Sequence, residues 1–222
     1  VQVPTPPQYP KGKPKCGELE RWSRKAGVGL LVGLDEAGRG PLAGPVVAAA
    51  VALPSPCPIR GLNDSKLIDE PTREKLFDRI VERALAFGIS AAEPAEIDQI
   101  NILQASLTAM ARAWQQVIDQ LPDLTEAHVL VDGKMRAKLP DTIIQHPVVK
   151  GDARSYNIAA ASILAKVTRD RRMVAYHEDY PDYGFNQHKG YPTPMHRAAI
   201  AKHGPCPIHR RSFNLPTQMS LL

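Results

Sequence analysis

Apolar positions along this chain alternate between short runs and long helical stripes. Gly29 to Leu34 is a short apolar run that stops at Asp35-Glu36 and a glycine-rich turn, and Pro45 to Leu53 is a second, rich in Val and Ala. Both predict buried strands, paired as a hairpin. After Pro71 at a first turn, Leu76, Phe77, Ile80, Val81, Ala84 and Leu85 recur at helical spacing. Gly88 is predicted to end that helix, and Ile89 to Ala92 to form a third strand. Ile97, Ile100, Leu103, Leu107, Met110, Trp114, Val117, Ile118 and Leu121 keep the spacing for about six turns, a stripe that reads as core rather than as a cofactor site. His128 to Val131, ending in Asp132-Gly133, and Thr142 to Val149, ending near Gly151-Asp152, predict the fourth and fifth strands. From Ser155 to about Tyr176, Ile158, Ile163 and Val167 share one helical stripe, and the small residues at 159–162 let that helix pack closely on a sheet. Beyond it, Pro181, Pro192, Pro194, Pro205 and Pro207 leave room only for short helices and loops. The pattern predicts a mixed α/β sheet with helices on its faces.

Composition narrows this picture. A chain of 222 residues, 43% hydrophobic, can bury one substantial core and a small appended subdomain. Pro4, Pro6, Pro7, Pro10 and Pro14 predict an extended leader, with folding beginning near Glu18. No run approaches the ~18 to 20 apolar residues of a membrane span, and the first residues lack a signal-peptide pattern, so a cytoplasmic protein without membrane partners is expected. Cys16, Cys57 and Cys206 are widely spaced and suggest neither disulfides nor a zinc site. The net charge of +5 is local: residues 183–222 hold five basic side chains and no acid, while the rest of the chain is balanced. Four histidines (His188, His196, His203, His209) and the aromatics Tyr183, Phe185, Tyr191 and Phe213 lie in that segment. Basic groups interleaved with aromatics suit a nucleic-acid backbone, with Lys189 and Arg210 as candidate phosphate contacts, and a solvated basic tail reads equally well.

Four carboxylates, Asp35, Glu36, Asp132 and Asp152, sit where predicted strands end. Each alone is ordinarily a turn or cap residue. Together they would place converging negative charge where ligand sites gather in α/β sheets, and a divalent cation would relieve it. An all-oxygen donor set favours Mg²⁺ or Mn²⁺ over zinc. Gly38-Arg39-Gly40 follows directly, and its flanking glycines leave backbone that another chain can approach closely; a plain structural turn remains the competing reading. Dinucleotide, P-loop, zincin and nucleophile-elbow motifs are absent from the sequence.

Six ordered blocks then carry a resemblance. They are Asp35-Glu36-Ala37-Gly38-Arg39-Gly40-Pro41-Leu42-Ala43-Gly44-Pro45, Leu62-Asn63-Asp64-Ser65-Lys66, Val131-Asp132-Gly133, Lys150-Gly151-Asp152, the stretch from Ile158 to Asp170, and His188-Lys189-Gly190-Tyr191. This series resembles the signature blocks of ribonuclease HII, the bacterial type 2 ribonuclease H, over roughly residues 29–213. The resemblance implies an RNase H-like mixed five-stranded sheet flanked by helices, with a small C-terminal helical subdomain. It divides the chain into a flexible leader (1–28), a catalytic domain (29–176) and a basic substrate-binding subdomain (177–222). It implies a metal and catalytic site of Asp35, Glu36, Asp132 and Asp152 for two Mn²⁺ or Mg²⁺ ions, and substrate contacts from Gly38, Arg39, Gly40, Lys66 and Tyr191. In that family the turn reads ribose 2′-hydroxyls and the tyrosine stacks on the next deoxyribose. The implied activity is hydrolysis of the RNA strand of RNA/DNA hybrids, and of single ribonucleotides in duplex DNA during their excision, leaving 5′-phosphate and 3′-hydroxyl ends. A monomer is expected. Tyr156-Asn157 departs from the small residues expected before the helix.

Two rivals are weighed. Ribonuclease HIII carries an added N-terminal domain that about 28 residues cannot form. A nucleic-acid binder without catalysis would keep clustered acids that repel its ligand.

Overall fold

The computed structural model describes residues 4–8, 14–122 and 126–217. Its elements run α1 (Glu18–Ala26), β1 (Leu30–Ala37), β2 (Val46–Ala52), α2 (Glu70–Arg83), β3 (Ala86–Ala92), α3 (Pro94–Gln120), β4 (Ala127–Asp132), β5 (Ile144–Val148), α4 (Tyr156–Asp179), α5 (Phe185–His188) and α6 (Pro194–His203). The five strands form one sheet in the order β3-β2-β1-β4-β5. The first three pair antiparallel, and β4 and β5 continue parallel to β1. The expected mixed sheet and its opening hairpin are both present.

All seven residues of β2 are buried, which explains a strand of nothing but Val and Ala. Val46, Ala48, Ala50 and Ala52 join one core with Ala109, Met110, Ala113 and Trp114 of α3. Val47, Ala49 and Val51 join another with Ala160, Ile163 and Leu164 of α4 and Leu76 and Ile80 of α2. The period-two alternation therefore feeds two cores, one on each face. Pro147 interrupts no ladder from the middle of the sheet, because β5 is an edge strand.

Three expectations need correction. Residues 18–26 form α1 rather than flexible leader: Leu19 packs with Leu31, Leu130, Val148 and Ile158, Trp22 lies against the same cluster, and buried Glu20 accepts from Ser155 and Asn157. Gly88 lies inside β3 and does not end α2, which stops at Arg83. A Cβ there would stand 2.1 Å from the Ala113 carbonyl oxygen, so glycine allows α3 to cross the strand. The long stripe breaks at Asn101 (φ 64°), whose Oδ1 accepts from the amides of Leu103 and Gln104 and starts the helix afresh. In addition, α4 continues past residue 176 to Asp179, and the chain beyond it packs Tyr183, Phe185, Ile200 and Ile208 on Leu42, Ala43 and Met173.

The departure at Tyr156-Asn157 has a structural explanation. Asn157 Oδ1 accepts from the Leu53 amide at 2.8 Å, and its Nδ2 donates to Glu20 Oε1 at 3.0 Å, tying α1 to the end of β2. The Tyr156 ring covers Gly17 at the start of α1. Among the described residues, no helix is long and apolar enough to cross a membrane.

Candidate active site

β1, β4 and β5 are parallel, so their carboxyl ends share one edge of the sheet. Asp35 and Glu36 lie at the end of β1 and Asp132 ends β4, while Asp152 occupies a short turn just beyond β5. Each aspartate is oriented by a backbone amide. Asp35 Oδ1 accepts from Glu36 N at 2.7 Å, Asp132 Oδ1 from Gly151 N at 2.7 Å, and Asp152 Oδ1 from Ala153 N at 2.9 Å. The Gly151 amide thereby links the carboxylate of β4 to the turn carrying Asp152.

Burial and mutual repulsion make these charges costly. Burial, then Asp132 and Glu36, hold the Asp35 carboxyl well above the usual range. Burial likewise raises Glu36 and Asp132. Asp152 is pushed up to about 6 by burial, Asp132 and Asp64. Lys66 is the local counter-charge: burial opposes its ammonium, but Asp64, Asp152, Asp35 and Asp132 outweigh this and raise it. Among the described residues, no three His, Cys, Asp or Glu side chains close into a metal cage. The donor chemistry nevertheless fits a divalent ion: hard carboxylate oxygens whose shared charge is poorly compensated gain most from an added cation.

Asp35, Glu36 and Asp132 line a cleft of ≈ 310 Å³ together with Gly38, Arg39, Gly40, Lys66 and Tyr191. Of the expected site residues, only Asp152 lies outside that lining. Gly38 takes φ 97°, a conformation that favours glycine. Arg39 is half exposed and reaches Glu36 at 3.4 Å. Tyr191 is 42% exposed, and its Cε1 would be 3.9 Å from a Cβ on Gly40. Ser65, Ser162 and Lys166 line the same cleft. They were not singled out by sequence reasoning, although Ser162, Lys166 and Asp170 follow at spacings of four on α4. Ser162 hydrogen-bonds to Asp35 and meets Ser65 at 2.8 Å, and Lys166 donates to Asp170 at 2.7 Å.

The basic C-terminal segment is less open than its composition suggests. Arg210, His188, His196 and His209 are buried. His196 and His209 meet through their Nε2 atoms at 3.0 Å, and burial pushes each down to about 4, so both rings are neutral core groups. Arg210 is therefore no phosphate contact. Arg197, Lys202 and Arg211 remain exposed, with Lys189 half-buried.

A mixed sheet with helices on both faces places its acidic carboxyl edge where α/β proteins gather their ligands. The sequence profile of Ribonuclease HII matches residues 32–215. The chain is 51% identical over 199 residues to Ribonuclease HII of Ruminiclostridium cellulolyticum, covering 90% of this chain and 75% of the relative. It is 49% identical over 217 residues to Ribonuclease HII of Citrifermentans bemidjiense, covering 96% and 91%. Among solved structures, the ribonuclease H2 of Pyrococcus horikoshii OT3 is similar with a TM-score of 0.66 at 27% identity, covering 83% of this chain and 94% of that one. Bst-RNase HIII in complex with Mn²⁺ shares the fold, with a TM-score of 0.63 at 17% identity over 79% and 63% of the chains. This chain belongs to the ribonuclease HII family. It is an endonuclease of RNA/DNA hybrids, and the family's mechanism uses two divalent metal ions.

Proposed function

We propose that this ribonuclease cuts on the RNA side of RNA-to-DNA junctions, including single ribonucleotides embedded in duplex DNA, and so serves their excision. The observation that carries this reading is one cleft lined by three of the carboxylates, the Gly38-Arg39-Gly40 turn and the exposed Tyr191.

Asp35, Glu36, Asp132 and Asp152 would hold two Mg²⁺ or Mn²⁺ ions. When bound, such ions activate a water and stabilise the leaving 3′-oxygen of an in-line displacement, giving 5′-phosphate and 3′-hydroxyl ends. The chain's own groups do the rest. Backbone amides and Ser162 hold the carboxylates in place, and Lys66 tempers their charge before substrate arrives. With the Gly38 and Arg39 carbonyls already held by Arg210, the turn offers its remaining backbone groups to a ribose 2′-hydroxyl, and a deoxyribose there would leave that partner unpaired. The Tyr191 ring stacks on the following sugar, where a 2′-hydroxyl would be crowded and partly desolvated. Residues 177–217 serve as the substrate-binding part, with exposed Arg197, Lys202 and Arg211 available to backbone phosphates.

The test compares initial rates on a duplex with one ribonucleotide and on a continuous hybrid, in Mg²⁺, Mn²⁺ and chelator. Cleavage 5′ to the lone ribonucleotide, lost in chelator, is expected. Tyr191→Ala should reduce the preference for the junction; an unchanged ratio of the two rates removes Tyr191 from that role.

A further inference from the structure

Arg169 on α4 and Arg210 near the C-terminus are 1% and 0% exposed, yet among the described residues neither forms a salt bridge. Their guanidinium groups donate to backbone carbonyls instead. Arg210 gives Nε to Gly44 O at 2.9 Å, Nη1 to Arg39 O at 3.0 Å and Nη2 to Gly38 O at 2.6 Å. Arg169 gives Nε to Pro45 O at 3.0 Å, Nη2 to Ala43 O at 3.1 Å and Nη1 to Lys189 O at 3.0 Å. Five of these carbonyls belong to residues 38–45, the connection between β1 and β2, and the sixth lies two residues before Tyr191.

That connection has few other ways to satisfy its backbone. Leu42 N donates to Gly190 O at 2.9 Å, Gly44 N donates to Ile208 O at 2.9 Å, and Arg210 N returns to Leu42 O at 2.9 Å. Buried carbonyls need donors, and two rigid five-donor forks supply them to a loop that has no sheet ladder. Arg169 also fills the space against Gly38, where a Cβ would fall 2.1 Å from its Nε, and its Cζ lies 5.9 Å from the Tyr191 ring centre. Both guanidinium groups spend their hydrogen bonds on carbonyls, and the Phe213 ring centre lies 5.1 Å from Arg210 Cζ. Burial lowers Arg169 to about 10, and burial together with Arg169 lowers Arg210 to about 9, so both stay charged at neutral pH.

We infer that Arg169 and Arg210 are positioning residues for junction recognition: they hold the Gly38-Arg39-Gly40 turn and Tyr191 at one fixed spacing. The inference rests on the reading of the turn and of Tyr191 given above. A recognition pair works only while its two halves keep their spacing, and a displacement of about 1 Å can cost roughly a hundredfold in rate. Lysine retains the charge but presents a point ammonium in place of the fork, so it cannot serve three diverging carbonyls.

The experiment measures kcat/KM on the single-ribonucleotide duplex and on the continuous hybrid for Arg210→Lys and Arg169→Lys, well below their melting temperatures. Leu76→Ala, in the core under α2, controls for lost stability. The ratio of the two values should fall about fivefold or more in each arginine variant, within the loss that misplacement allows, and stay unchanged in Leu76→Ala. Adding Arg210→Lys to Tyr191→Ala should lower the ratio no further. Equal losses on both substrates overturn the inference. If Tyr191→Ala itself leaves the ratio unchanged, the reading of Tyr191 fails, and hydrogen exchange decides the clamp separately. In the wild-type chain the amides of Leu42, Gly44 and Tyr191 should open as one unit with one free energy, a result that needs no variant to fold. Distinct opening free energies for the two segments overturn the inference.

Discussion

Replacing Asp152 by asparagine removes one negative charge from the carboxyl edge while keeping an oxygen that can accept from the Ala153 amide. In the folded chain that carboxyl rises from 3.8 to about 6, first through burial and then through Asp132 and Asp64. A rise of this size corresponds to about 3 kcal/mol of opposition to the charged form. Screening and local relaxation around the turn offset part of it, leaving about 1–2 kcal/mol. The sign follows from proton binding. Below the unfolded value of 3.8 both states hold the proton and the carboxyl costs nothing. As pH rises from there to about 6, the folded state alone retains the proton, so wild-type stability falls across this window and stays lowered above it. Asp152→Asn should therefore melt about 2–8 °C above wild type at pH 8 in EDTA. The gap should close toward pH 4, and hybrid cleavage in Mg²⁺ or Mn²⁺ should be lost. Differential scanning calorimetry of both proteins from pH 4 to 8 reads the gap. A variant that melts at or below wild type at pH 8, or a gap independent of pH, refutes the electrostatic account of the site.

The added cation should act in the opposite sense to that repulsion: Mg²⁺ or Mn²⁺ at a hundredfold excess over its Kd should stabilise wild type by about 2.7 kcal/mol. Asp132→Asn should lose most of this gain, and an equal gain in both proteins excludes Asp132 as a ligand. Gly88→Ala, whose Cβ would meet the Ala113 carbonyl oxygen at 2.1 Å, should cost about 1–3 kcal/mol in urea unfolding without changing activity per folded molecule. An unchanged midpoint contradicts the close crossing of α3 over β3. Asn157→Ala should cost a similar amount, about 1–3 kcal/mol, because it leaves the Leu53 amide without its acceptor. A midpoint within error of wild type shows that the link between α1 and β2 adds nothing.

Much of this protein is legible in its sequence where the physics is local. Apolar runs of strand length, helical stripes and the residues that follow them depend on near neighbours, so the sheet, α4, the apolar stripe of α3 though not its break at Asn101, and the strand-end carboxylates could be read directly. Three further features lack such a signal. The end of α2 was misplaced because Gly88 serves the approach of α3, a partner 25 residues further on, rather than a helix terminus. Helix α1 escaped notice because it is only nine residues long and two of its three buried residues, Glu20 and Ser23, are polar, so an apolar stripe has little length in which to repeat. The C-terminal charge misled as well. Composition counts Arg210 and the histidines as basic surface, but their environment is set by carbonyls of residues 38–44 and by each other. Which groups can ionise was thus determined by the sequence alone. Which of them face substrate and which hold the fold was decided only by tertiary structure, because burial and hydrogen-bond geometry are properties of residues brought together from distant parts of the chain.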